Sequence, residues 1–334
     1  MFIVDNYALA VLFCFITMIC WGSWASTQKL ASQKWPFQLF YWDYTFGILL
    51  MTLFFAFTLG STGDFGRSFL HDLEQAKMSN LTSAFIGGII FNFANLLLVI
   101  AIEIAGMATA FPIGIGIALV LGVFINYIAQ PEGDPLILII GVILVALAIL
   151  IDGLAYKKIL QKTNENPLKG ILFSVSAGIA MGFFYKYVAA SMATDFIIPE
   201  AGKLTPYSAL VIFSLGIIIS SFLFNTINMY RPFSGEKVSF SDYFTMGNTK
   251  LHLIGILGGV IWGIGMSFNI IASDQAGPAI AYGLGQGATL VAAIWGVFIW
   301  KEFKDLPRKS FWLIPLMFVL FVLGIALIIA AKLI

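Results

Sequence analysis

The side chains able to bind or transfer anything are few in this sequence, and they are spread through apolar runs. Asp43 stands inside "FYWDYTFG", where a carboxylate is unexpected. An acid at membrane depth is a candidate proton carrier, and the role read for Asp43 is to couple a solute to protons. The alternative is an interfacial carboxylate paired with Lys29 or Lys34. Asn92 and Asn95, three apart, share a helix face, as does any pair at that spacing. An amide in hydrocarbon is costly without partners, so both face the protein interior, either bonding helix to helix or touching a solute. Gln286 sits at similar depth and carries the same two readings, and Tyr282 joins it on the wall of a polar cavity. Trp262 falls mid-span, away from the interfacial belt where tryptophans collect; it fills the core or offers a ring for stacking. Trp21 and Trp24 are either belt tryptophans or ligand contacts. Asn269 lies nearer a span end, where bonding between helices is its expected work.

This set suits binding rather than bond-making. His71 and His252 lie in separate polar stretches, and Cys14 and Cys20 are six apart and point to different sides of a helix. No nucleophile–base pair and no metal-ligand cluster gathers at one depth, so neither an enzyme nor a metal site is expected, and no cofactor is implied.

The elements that position these residues follow from composition. The chain is 60% hydrophobic and 10% charged. Soluble domains carry about a quarter charged residues, and no soluble core could hide this much apolar surface. A net charge of +1 gives no reason to expect nucleic acid. Spanning a bilayer takes about 20 mainly apolar residues. Ten segments qualify, near 7–28, 37–60, 80–102, 107–128, 135–156, 168–190, 205–229, 251–273, 277–300 and 311–332. The fold class expected is therefore an all-α integral membrane protein with ten spans. "MFIVDNYALA" has neither a basic region nor a small-residue cleavage site and reads as the start of a retained span. Basic residues crowd the odd-numbered connections, with Lys157, Lys158, Lys162, Arg231, Lys301 and Lys304 among them. The other side holds Arg67, Lys77, Lys203 and Lys332. That bias puts the odd connections in the cytoplasm and both termini outside, in a cytoplasmic membrane. Lys186 is expected to snorkel, Asp152 to belong to a span's charged flank, and Glu103 and Asp274 to cap turns.

Self-comparison pairs 87–118 with 258–289. "GGIIFNFANLLLVIAIEIAGMATAFPIGIGIA" and "GGVIWGIGMSFNIIASDQAGPAIAYGLGQGAT" share Gly87/Gly258, Gly88/Gly259, Gly106/Gly277 and Gly114/Gly285 at one constant offset. Five spans per half is an odd number, so the second half must run upside down. The expectation is two units, 1–160 and 161–334, forming a 5+5 inverted repeat with a binding site near the midplane. Ala279, Gly283 and Gly287, and their counterparts Ala110, Gly114, Ala118 and Gly122, make small-residue ridges for close packing.

At "CWGSWASTQKL" (20–30), "FYWDYTFGILL" (40–50), "FNFANLLLVIAIEIAGMATAFPIGIGIALVLG" (91–122) and "VIWGIGMSFNIIASDQAG" (260–277) the chain resembles the ten-helix drug/metabolite transporter superfamily. Within it, the resemblance is to the branch of glucose/ribose uptake permeases, the rhamnose–proton symporter and plant ureide permeases. The resemblance implies solute uptake across a cytoplasmic membrane, often driven by protons. Plant ureide permeases have a long central loop with a nucleotide-binding-like motif. Here "KKILQKTNENPLKG" (157–170) has no such motif, so ATP has no place. Taken together, the reading is a secondary transporter importing a small neutral polar solute, a monosaccharide first, by proton symport. A ureide or nucleobase permease and a drug/metabolite exporter are the alternatives.

Overall fold

Long apolar runs leave the backbone no hydrogen-bond partner but itself in hydrocarbon, so each run closes into a helix. The computed structural model describes residues 1–31, 35–159, 167–233 and 236–334. Lys34 and half of the 157–170 connection, residues 160–166, fall outside them. In chain order the helices are α1 (Tyr7–Ala31), α2 (Phe37–Phe57), α3 (Phe69–Gln75), α4 (Met78–Ala105) and α5 (Met107–Ala129). There follow α6 (Pro135–Ile159), α7 (Pro167–Ser191), α8 (Pro206–Tyr230), α9 (Phe240–Thr245) and α10 (Thr249–Ala276). The chain closes with α11 (Pro278–Gln286), α12 (Ala288–Ile294) and α13 (Leu313–Ala330). A π-helical turn, Trp295–Ile299, extends α12. Among the described residues, ten segments are long and apolar enough to cross a membrane. The ninth, Pro278–Ile299, is built from α11, α12 and the π turn rather than from one continuous helix.

Packing runs between the halves of the chain. Helix α10 lies against α1 and α2, and α4 lies against α7 and α8. α5 packs on α7, while α6 packs on α13. Two crossings depend on missing side chains. A Cβ on Gly259 would stand 2.9 Å from the Gly47 Cα, and one on Gly88 would stand 3.1 Å from the Gly216 Cα. Backbone therefore meets backbone where α2 crosses α10 and again where α8 crosses α4. In hydrocarbon, such van der Waals contact is a main source of helix association.

α4 and α10 are both 28 residues long, and each ends at a glycine with a positive φ, 80° at Gly106 and 81° at Gly277. Residues with a Cβ rarely tolerate that region, so a one-residue reversal between two spans needs glycine there. Pro278 occupies the first turn of α11, where its missing N–H is no loss. Glu103 and Asp274 do not cap these turns: neither α5 nor α11 has a side-chain cap, Glu103 is exposed, and Asp274 accepts from the Gln275 amide at 3.0 Å. Two further expectations are corrected. His252, expected in a polar stretch between spans, stands in the first turn of α10. Asp152 is buried within α6, not part of an exposed flank.

Candidate functional site

Where the ninth span breaks, at Gly287 between α11 and α12, a chamber of about 120 Å³ opens in the bundle. Irregular backbone at membrane depth is tolerated where it borders protein or a cavity, and this break borders one. Gln286, the last residue of α11, and Thr289, in the first turn of α12, contribute the polar part of one wall. Asn95 of α4 contributes another, and the rest is aromatic or aliphatic, including Trp21, Trp24, Phe91 and Trp262.

The aromatic rings are held by their neighbours. Trp262 stacks on Trp21 at 5.9 Å with 13° between planes, and lies 4.5 Å from the Phe91 ring centre. Trp21 is seated between glycines: a Cβ on Gly265 or Gly285 would come within 2.7 Å of the indole. This is the residue-level reason for glycine in "IWGIGMS" and "GLGQG". Trp24 leans on Tyr44, 4.8 Å away. A rigid aromatic surface of this kind binds the flat or C–H-rich face of a ring without needing to reorganise.

The polar groups differ in what they have left to offer. Asn95 donates to the Tyr41 hydroxyl at 3.2 Å, and its carbonyl oxygen takes no bond from any described residue. The Gln286 amide makes no hydrogen bond among the described residues, although its backbone carbonyl accepts from Thr289 at 2.9 Å. An amide left without a partner away from water costs roughly 1–3 kcal/mol, so these groups call for water or a solute in the chamber.

The remaining residues expected at the site lie elsewhere. Asn92 accepts from Tyr41 and donates to Ser220, both at 2.7 Å, and is wholly buried behind the chamber. The Asn269 amide donates to the Ala281 carbonyl at 2.8 Å, tying α10 to α11. Tyr282 packs against Tyr185 at 5.3 Å, and its hydroxyl donates to the Ala118 and Met181 carbonyls. So Trp21, Trp24, Asn95, Trp262 and Gln286 come together, and Asn92, Asn269 and Tyr282 brace the bundle around them.

A second, wider cavity of about 380 Å³ adjoins the first. The two share Phe111 and Ala292 in their linings, which joins chamber to vestibule. The vestibule lies between the ends of α1, α6 and the ninth span that carry the lysine-rich connections. Toward the other ends of α1, α2 and α10, Phe13 stacks on Phe268 at 4.5 Å, and Phe268 on Phe55 at 5.8 Å.

Asp43 belongs to neither cavity. It is 2% exposed, and the Tyr243 hydroxyl of α9 donates to it. His252 Nδ1 lies 3.0 Å from both of its carboxylate oxygens. Lys29 instead pairs with Glu302. Burial first, and then the bond and charge of Asp43, push the Tyr243 phenol well above its usual range, so it stays a donor. Tyr243 and His252 were not singled out from sequence. A basic or aromatic residue in the connection before a span was the available signal, but nothing in it points to Asp43.

A model of the ureide permease family matches residues 145–331. Ureide permease 1 of Arabidopsis thaliana is 22% identical, with 99% of each chain covered. A probable glucose uptake protein, GlcU, of Staphylococcus epidermidis is 26% identical over 78% of this chain and 79% of that protein. A crystal structure covering 98% of this chain and 100% of the other superposes with a TM-score of 0.66 at 15% identity and shares the fold.

Proposed function

The chain belongs to the ureide permease family and is a membrane transporter of small solutes, and on that premise we propose that it imports a small neutral polar solute, a monosaccharide first. The observation that carries this reading is the chamber lining, where the Asn95 carbonyl oxygen and the Gln286 amide, both without a bond among the described residues, share the wall with tryptophan rings and no charged side chain. Hydroxyl groups bond to amides, and the C–H face of a sugar ring lies on an indole. A formally charged solute would find no counter-charge there. Pockets for drug-sized ligands run to about 300–1,000 Å³. A chamber of about 120 Å³ favours a single small ring over the amphipathic cargo of an exporter.

In this proposal the basic side faces the cytoplasm and both termini lie outside, so the vestibule is an inward opening. Two units, 1–160 and 161–334, related as an inverted repeat, rock about the Gly47–Gly259 and Gly88–Gly216 crossings to expose the chamber to either side. Proton symport drives accumulation, with Asp43 acting through His252 and Tyr243 at the cytoplasmic ends of α2 and α10. An Asp43→Asn variant tests that role by losing accumulation while keeping exchange.

A ureide or nucleobase is the second reading. Family membership favours it, and so does the chemistry of the open Asn95 carbonyl oxygen and Gln286 amide, which match the alternating N–H and C=O edges of such a compound. A thermal-shift screen of the purified protein against monosaccharides, ureides and nucleobases separates the two. Ligand that binds the folded state alone stabilises it by about 2.7 kcal/mol at a hundred times Kd, so weak solutes register at high concentration. Stabilisation by sugars is the expected result. Stabilisation by ureides or nucleobases alone would replace the first reading with the second, and none by any neutral solute would remove both.

A further inference from the structure

Resting on the reading that a solute passes from the chamber to the vestibule, we propose that Asp152 is a proton-binding site on that route, distinct from Asp43. Asp152 lines the vestibule, is 8% exposed, and its Oδ1 has no hydrogen-bond partner among the described residues. Tyr156 follows it by four residues on α6 and therefore stands on the same face. The Tyr156 hydroxyl donates to Glu302, and Lys29 of α1 pairs with that same carboxylate. Glu302 thus has both a counter-charge and a hydrogen bond, and Asp152 has neither among the described residues.

Among the described residues, the other elements around the vestibule add no compensating charge. α5 contributes Phe111 and Pro112, and its only ionisable side chain, Tyr127, lies at its far end. α13, packed along α6, has no ionisable residue. Lys157 and Lys158 follow Tyr156 in the last turn of α6 and line neither cavity. A buried carboxylate without a partner is unfavourable when ionised, and a neighbouring carboxylate adds to the penalty. A cation relieves both. No group of three acidic, histidine or cysteine side chains able to hold a metal occurs among the described residues, whereas a proton needs a single oxygen. The step is a simple transfer: the Asp152 carboxylate takes one proton from vestibule water to become a neutral carboxyl group, and gives it back to water on release. Placed on the vestibule wall, that change of charge lies beside the path of the solute.

The experiment is pH-difference infrared spectroscopy of the protein in liposomes, with the proton as the only probe. A carboxyl C=O band that grows on acidification in the wild type and is lost in Asp152→Asn is the expected result. Superimposable wild-type and Asp152→Asn spectra would overturn the proposal. If Asp152→Asn does not fold, Asp152→Glu carries the readout: its longer side chain must move the band, and an unmoved band again refutes the assignment. Adding a solute that stabilises the protein tests the two readings apart. A proton band that titrates normally while no solute binds would sink the solute reading and leave the proton site standing.

Discussion

Asn92 and Asn95 illustrate what a single residue position decides. They are three apart on α4, yet one is closed off by Tyr41 and Ser220 while the other borders the chamber. Spacing alone put both on the inner face, but which neighbour lies beyond that face is a tertiary fact. Trp262 is the reverse case. Its central depth in an apolar span was legible, and the chamber is lined by it. Aromatic contacts contribute about 0.5–1.5 kcal/mol beyond burial. Trp262→Ala is therefore expected to weaken solute binding by about tenfold, on the scale of about 1.4 kcal/mol per decade. Trp262→Phe, which keeps a ring, should lose less. Isothermal titration of the two variants checks the order; equal affinity in Trp262→Ala and wild type would take Trp262 out of the site. Asp152 shows why other residues were passed over. Near two lysines at a span end it reads as a charged flank, and only the orientation of α6 turns it inward.

At the scale of elements, α9 is six residues long, and so short a helix is not stable alone in water. Its own sequence supplies a capping box, in which Ser239 and Asp242 bond each other's backbone N–H groups. Its docking to the bundle runs through Tyr243, which reaches Asp43 and lies 4.6 Å from the His252 ring. Tyr243→Phe removes that bond while the contact of the buried carboxylate with His252 stays. The expected outcome is faster amide hydrogen exchange across 240–245 with the rest of the protein unchanged. Exchange at wild-type rates would mean that packing, not this bond, holds α9. The long helices themselves were legible, because ten apolar runs of sufficient length leave few alternatives. The break in the ninth span was not. "GLGQGAT" announced small residues, but three glycines inside a span are equally compatible with a continuous helix. The partner of Asp43 was likewise hidden: Lys29 and Lys34 are closest in sequence, yet α10 brings His252 to it across some two hundred positions.

Over the whole molecule, the chain's two halves interlock rather than stand side by side. α4 and α10, the two 28-residue helices, each cross partners from the other half, and the glycine crossings recur in both. Between them lie a small chamber and, adjoining it on the lysine-rich side, a wider vestibule. A carrier of this shape holds its solute in the chamber, and opening to one side at a time gives transport that saturates. A pore would conduct without saturating. Counterflow in proteoliposomes measures this most directly. Vesicles loaded with unlabelled monosaccharide are expected to draw in labelled sugar transiently, in a saturable and competable way, with Asp43→Asn retaining this exchange while losing proton-driven accumulation. Flux that rises linearly with concentration and ignores competitors, or no counterflow of any neutral solute, would contradict the account.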